Sequence, residues 1–194
     1  MSPLTLIILK FVISFLIGAI PFAVIAMWGT GIDITKAGSG NPGFNNVWRV
    51  TNFRRSMISL AGDLSKGAVA VLLLAGASDP EWMRWGLGLA AVAGHCWTPF
   101  LKFNGGKGVA TMAGALLYLE PRITVVCLVL YPTLRWFGRR RGWSQEGAIS
   151  SMTTMAVIAV TVTLFRGIES GAFAFVGFVI VVVRHIPNIR QILD

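Results

Sequence analysis

Residues 4–28 read LTLIILKFVISFLIGAIPFAVIAMW, and Lys10 is the single ionisable side chain among them. About 20 helical residues cross the hydrocarbon core of a bilayer, so this stretch is long enough to span one at a tilt. It is too long for a secretory signal and has no basic head before it, so the expectation is a retained membrane helix. Outward from it the same composition recurs at 56–77, 85–101, 109–119, 123–137, 148–165 and 171–183, which makes seven apolar stretches. The fourth, 109–119, is short for a full crossing and is expected to be re-entrant or to recruit its flanks. Gly18, Pro21 and the other glycines within the runs would break soluble helices, but small residues let membrane helices approach closely.

Composition agrees. The chain has 194 residues, 55% hydrophobic and 13% charged, with a mean hydropathy of +0.70. A soluble domain would carry nearer a quarter charged residues, so the apolar excess calls for lipid as solvent. The fold expected is all-α and polytopic, with about seven transmembrane helices in one domain, 1–194, free of internal repeats and low-complexity linkers. Cys96 and Cys127 lie in apolar runs and form neither a disulfide framework nor a metal knuckle. No metal and no cofactor are expected.

The net charge of +9 is too large to ignore. Nucleic acid is not the expected partner, because most of the chain lies in spans that could not face water. Basic residues on such a protein report topology and contact with anionic lipid heads or phosphorylated substrates. With seven spans, the odd-numbered connections and the tail hold twelve basic residues, among them Lys36, Arg49, Lys107, Arg135 and Arg184. The even connections hold three, Arg84, Arg122 and Arg166, beside Asp79, Glu81, Glu120 and Glu169. The positive-inside rule then sets the amino end outside and the carboxyl end in the cytoplasm.

The residues with chemical potential fall on the same expected side. Gly38-Ser39-Gly40-Asn41-Pro42-Gly43 is followed by Asn45, Asn46 and Arg49. Its glycines permit positive φ, so successive amides converge on an anion, and Arg49 adds a fork that matches phosphate oxygens. Read alone, this loop is equally a flexible turn. Gly105-Gly106-Lys107-Gly108 opens the fourth stretch, which gives bare amides, a positive helix end and a mobile ammonium. It is not a Walker A loop, since Gly108 rather than Ser or Thr follows the lysine. As a lone cluster it reads as a linker sooner than as a phosphate loop, but two such loops on one face are harder to dismiss.

Inside the second stretch Asp63 and Lys66 are three residues apart and share a helix face, either as a functional pair or as mutual neutralisation. His95, near the inner end of its stretch, reads as a packing donor before a catalytic base. Arg139, Arg140 and Arg141 read as a topology anchor on anionic lipid. After Val183 comes Arg184-His185-Ile186-Pro187-Asn188-Ile189-Arg190, an interfacial stop on its face.

Taken in order, Gly-Ser-Gly-Asn with Arg49, Asp63-Leu-Ser-Lys66-Gly, Gly94-His95, Gly105 to Thr111, and His185 with Asn188 and Arg190 resemble one family. It is the bacterial membrane acyl-phosphate:glycerol-3-phosphate acyltransferases, and the likeness covers Gly18 to Arg190. The resemblance implies seven transmembrane helices in the bacterial plasma (inner) membrane, with an active site that faces the cytoplasm. It implies acyl transfer from acyl phosphate to the sn-1 hydroxyl of glycerol 3-phosphate, the first step of phospholipid synthesis, yielding lysophosphatidic acid and phosphate. Carried over by position, Ser39, Lys107, His185 and Asn188 look catalytic. Gly38, Gly40, Asn41, Asn46, Arg49, Gly105, Gly106 and Gly108 look like substrate contacts. Arg141-Gly142-Trp143-Ser144 is similar to the family's Arg-x-x-Ser, which adds Ser144, while Asp63, Lys66, His95 and Arg141 look supporting. Phe44-Asn45 stands where Ala-Thr is usual, and Gly147 where a serine is common.

The residues themselves agree with that chemistry. Acyl phosphate is an activated anhydride whose leaving group needs little beyond charge neutralisation and positioning. No His-x4-Asp pair exists, since Phe100 and Arg190 stand five residues after His95 and His185. No histidine–acid set for a serine hydrolase is evident either. The expected partners are acyl phosphate, glycerol 3-phosphate and membrane lipid. The rival reading is a transporter or channel for a small phosphorylated solute, which would use Asp63, Lys66 and glycine-broken helices as a polar path.

Overall fold

A computed structural model describes residues 2–193. Among them are eleven α-helices and no strand. They are α1 (Pro3–Ala19), α2 (Phe22–Ala26), α3 (Phe44–Val50), α4 (Phe53–Leu74), α5 (Glu81–Cys96), α6 (Val109–Leu119), α7 (Pro121–Leu128), α8 (Leu130–Arg140), α9 (Glu146–Arg166), α10 (Ile168–Arg184) and α11 (Ile186–Leu193). Each of the seven expected stretches is helical over most of its length.

The boundaries follow local chemistry. Asn52 accepts the Arg55 N–H at 3.1 Å, so α4 starts ahead of its apolar run. Pro80 precedes α5, which begins at Glu81 rather than at Trp85. The 4–28 stretch bends at Ile20 and Pro21, where a proline cannot donate to the preceding turn. Pro132 likewise cannot donate to the carbonyl of Leu128, and the 123–137 stretch is divided there into α7 and α8.

Three helical segments are each long and apolar enough to cross a membrane: Pro3–Ala26, Phe53–Leu74 and Glu146–Arg166. A fourth passes as the pair α10 and α11, bent by 60°. Between them the shorter helices close the bundle. The buried core joins Trp85 and Val92 of α5, Leu116 of α6, Ile158 and Val162 of α9, and Val181 of α10. Large apolar side chains also face outward, including Leu73, Val126, Leu164 and Phe165, as a protein with lipid for solvent requires.

Glycine sets how closely the helices approach. A Cβ on Gly67 of α4 would lie 2.0 Å from the Thr111 carbonyl oxygen of α6, and one on Gly114 of α6 would lie 1.9 Å from the Leu64 oxygen. The two backbones touch where each gives up its side chain, the small-residue contact by which membrane helices associate. The α1–α5 pair is built the same way by Gly18 and Gly94.

The connections sort to two ends. At one, Lys10 pairs with Asp79 at 2.9 Å, Arg166 with Glu120 at 2.7 Å, and Ser170 bonds to Glu81. At the other, the 35–49, 104–110, 135–148 and 183–191 segments surround one cavity. The helices therefore run alternately between an end that holds acidic side chains and a basic one.

Candidate active site

The cavity at the basic end has a volume of about 1210 Å³. Four chain segments supply its polar wall, and Leu60, Leu64, Ala113, Leu128, Ala148 and Met155 supply an apolar one.

The first segment is a loop stapled from within. Asn46 is buried; its Nδ2 donates to the Ile34 carbonyl at 3.2 Å and the Ala37 carbonyl at 2.9 Å, and its Oδ1 accepts the Ser39 N–H at 2.8 Å. Gly38 adopts φ +60°, and a Cβ there would lie 2.3 Å from Asn46 Oδ1. Asn46, expected to contact substrate, does line the cavity, but its amide is committed to the loop. What the staple presents to the cavity is Ser39, Gly40, Asn41 and, one turn beyond, Arg49.

The second segment carries Lys107. The Gly105 N–H donates to the Cys96 carbonyl at 3.0 Å and the Gly106 N–H to the His95 carbonyl at 3.1 Å. Arg184 holds the other edge, with Nε donating to the Gly106 carbonyl at 3.0 Å and Nη2 to the Gly105 carbonyl at 2.7 Å. Gly108, at φ +81°, turns the chain into the amino end of α6, so bare amides and a positive helix end face the cavity. Gly106 is buried and stands behind this surface rather than on it. Lys107 Nζ donates to Asn188 Oδ1. Burial, then the nearby Arg184 and Arg49, lower the Lys107 ammonium to a pKa of about 8.

The tail supplies His185, Asn188, Arg190 and Gln191. His185 caps α10; its Nδ1 lies 2.7 Å from the Val181 carbonyl. A carbonyl only accepts, so Nδ1 carries the hydrogen and the neutral ring keeps Nε2 as an acceptor. Asn188 joins the segments: besides meeting Lys107, it donates from Nδ2 to Gln145 Oε1 at 2.6 Å.

The third segment, α8 into α9, corrects the reading of Arg141 and Ser144. Both are exposed and off the cavity, and Arg141 lies 5.0 Å over the Phe137 ring. Gln145, at φ +57°, turns inward instead and bonds to Asn188 and Gln191. The unusual Asn45 finds partners here too. Its Oδ1 accepts from Arg135 Nη1 at 2.5 Å and its Nδ2 donates to Tyr131 at 3.3 Å, while Glu146 approaches Arg135 at 3.8 Å. A Cβ on Gly147 would lie 3.8 Å from Asn45 Nδ2, an ordinary van der Waals contact. Arg184, Arg135, Tyr131 and Gln145 are the site residues sequence reasoning missed.

Asp63 and His95 also line the cavity, whereas Lys66 lies behind them, paired with Asp63 at 2.8 Å. The expected set thus lines the cavity except for Gly106, Lys66, Arg141 and Ser144. Five cations, a helix amino end and two glycine-turned loops, with apolar residues among them, would hold phosphate groups together with an apolar chain.

Known proteins resemble this chain in sequence and fold. The sequence profile described as glycerol-3-phosphate acyltransferase matches residues 8–194. A protein named glycerol-3-phosphate acyltransferase from Rubrobacter xylanophilus is 33% identical over 193 residues, covering 96% of this chain and 91% of that one. One of the same name from Neisseria meningitidis serogroup B is 35% identical, covering 94% and 91%. Two crystal structures of PlsY, an integral membrane glycerol 3-phosphate acyltransferase, share the fold at 24% identity. The glycerol 3-phosphate form has a TM-score of 0.86 over 96% of this chain and 92% of that one. The lysophosphatidic acid form has a TM-score of 0.84 over 96% and 91%.

Proposed function

This chain belongs to the glycerol-3-phosphate acyltransferase family, and we propose that it acylates the sn-1 hydroxyl of glycerol 3-phosphate from acyl phosphate. The observation that carries this is the convergence of Arg49, Lys107 and the amino end of α6 on one cavity that also has apolar lining. The sn-1 oxygen bonds to the acyl carbon, the bond from that carbon to the phosphate oxygen breaks, and the hydroxyl proton leaves with the phosphate. Lysophosphatidic acid and inorganic phosphate result. The leaving group is already a good one, so the protein's share is to align two anions that repel each other and to neutralise charge as it moves. Lys107 meets the moving charge, Arg49 and Ser39 hold phosphate oxygens, and His185 and Asn188 close the polar side.

The test is donor use. Purified protein given acyl phosphate and glycerol 3-phosphate forms lysophosphatidic acid and phosphate in equal amounts. Acyl-CoA and acyl carrier protein support no turnover in their place; a comparable rate from acyl-CoA alone overturns the assignment of the donor.

The seven apolar segments cross the bacterial inner membrane with the amino end outside, so that the cavity opens to the cytoplasm. The exposed Ser78 and Glu169 lie at the end opposite the exposed Lys36 and Phe103, and Cys96 and Cys127 are buried. Single cysteines at 78 and 169 are expected to react with an impermeant maleimide on intact cells, and cysteines at 36 and 103 only after the membrane is opened. The reverse pattern would invert the orientation.

A further inference from the structure

Asp63 sits in the wall of an anion-binding cavity, where an isolated carboxylate would repel both substrates. It is 2% exposed, and its Oδ1 lies 2.8 Å from Lys66 Nζ and 3.3 Å from His95 Nδ1, ion-pair approaches without hydrogen-bond geometry. Lys66 donates its hydrogen bond to the Ile20 carbonyl at 2.8 Å, at the break between α1 and α2. A buried pair of this kind is weak as a stabilising device, because desolvation offsets most of the attraction. Its presence beside the cavity calls for another account.

That account lies on the far side of His95. The His95 carbonyl accepts the Gly106 N–H, and the imidazole fills the space a Gly106 side chain would need: a Cβ there would lie 2.1 Å from His95 Nε2. Gly106 has no positive φ, so its lack of a side chain is demanded by the ring and not by the backbone. Lys107 is the next residue. The carboxylate orients the ring, the ring seats the glycine, and the glycine aims the lysine.

We propose that Asp63 is a positioning residue for Lys107, acting through His95 and Gly106, and that Lys66 serves to cancel its charge at the anion site. This rests on the acyl-transfer reading given above. A misaimed Lys107 would still attract phosphate, so the loss falls on turnover more than on substrate affinity.

The experiment uses the full-length, detergent-purified protein with a long-chain acyl phosphate and glycerol 3-phosphate both varied. Asp63→Asn combined with Lys66→Met removes both charges at similar volume. That variant is expected to unfold near the parent temperature, with kcat lower by about tenfold to a hundredfold and KM for glycerol 3-phosphate little changed. Gly106→Ala, whose Cβ displaces the ring, gives a similar loss. Gly106→Ala with His95→Ala is no worse than His95→Ala alone, because the space is then free. Parental kcat in the charge-free variant, or losses from Gly106→Ala and His95→Ala that simply multiply, would overturn the proposal. If the charge-free variant does not fold, the Gly106–His95 cycle decides. No lysophosphatidic acid from the unmodified protein would instead overturn the functional reading itself.

Discussion

Lys107→Ala lowers turnover about a hundredfold to a thousandfold at saturating substrates, while the protein remains folded. The ammonium donates to Asn188 at the cavity wall and follows directly on the clamped glycines. Removing it leaves Arg49 and the α6 amino end to attract phosphate, so binding survives better than the chemical step. A donor made stronger in the transition state contributes about 2.7–4 kcal/mol by analogy with oxyanion holes, and the fold-change follows from that. The pH dependence gives a second readout. The Lys107 pKa is lowered to about 8, so the charged form prevails below that value and is lost as pH rises through it. In the parent protein kcat/KM therefore falls above pH 8, and in Lys107→Ala that limb is absent. Bound phosphate favours the ammonium, so the limb in kcat lies at higher pH than the limb in kcat/KM. Near-parental turnover in the alanine variant at saturation would leave Lys107 a binding residue only.

The parts of the molecule legible in the sequence were those written as runs. Apolar stretches long enough for lipid are visible without context, and each proved helical. Their breaks could also have been read, since Pro21 and Pro132 stand where the helices divide. The two glycine loops were legible only as a pair, since each alone reads as a turn or linker. The failures have geometric causes. Ser144 and Gln145 are neighbours just ahead of α9, outside its regular helical turn. The turn that points Gln145 inward places it in the left-handed region, a conformation no glycine signals at that position. Asn46 belongs to a motif, but a motif does not show whether an amide faces substrate or the loop that carries it. Arg135 and Asn45 are 90 positions apart, and no local pattern couples them. Arg184 was in plain sight beside His185, counted only as a topological charge.

Arg184 carries the other large effect expected of a single change. Its fork satisfies the Gly105 and Gly106 carbonyls at 2.7 and 3.0 Å, while the guanidinium lies 6.0 Å over the Trp97 ring. Hydrogen bonds to a charged group are worth about 1.5–3 kcal/mol each, and these two hold opposite ends of one short backbone segment. Arg184→Ala frees that segment and leaves its carbonyls to water, so kcat/KM falls by about a hundredfold or more. Arg184→Lys keeps the charge but cannot reproduce a two-pronged grip, and its activity lies between. A partly unfolded preparation would also lose rate, and the pH profile separates the two cases. Arg184 is one of the causes that lower the Lys107 pKa. Without it the lysine returns toward its ordinary value, and the water admitted in its place acts in the same direction. The alkaline limb of Arg184→Ala therefore moves to higher pH even as the rate falls. Loss of folded protein would scale the whole profile down and leave the limb near pH 8, an outcome that would reduce Arg184 to a structural prop.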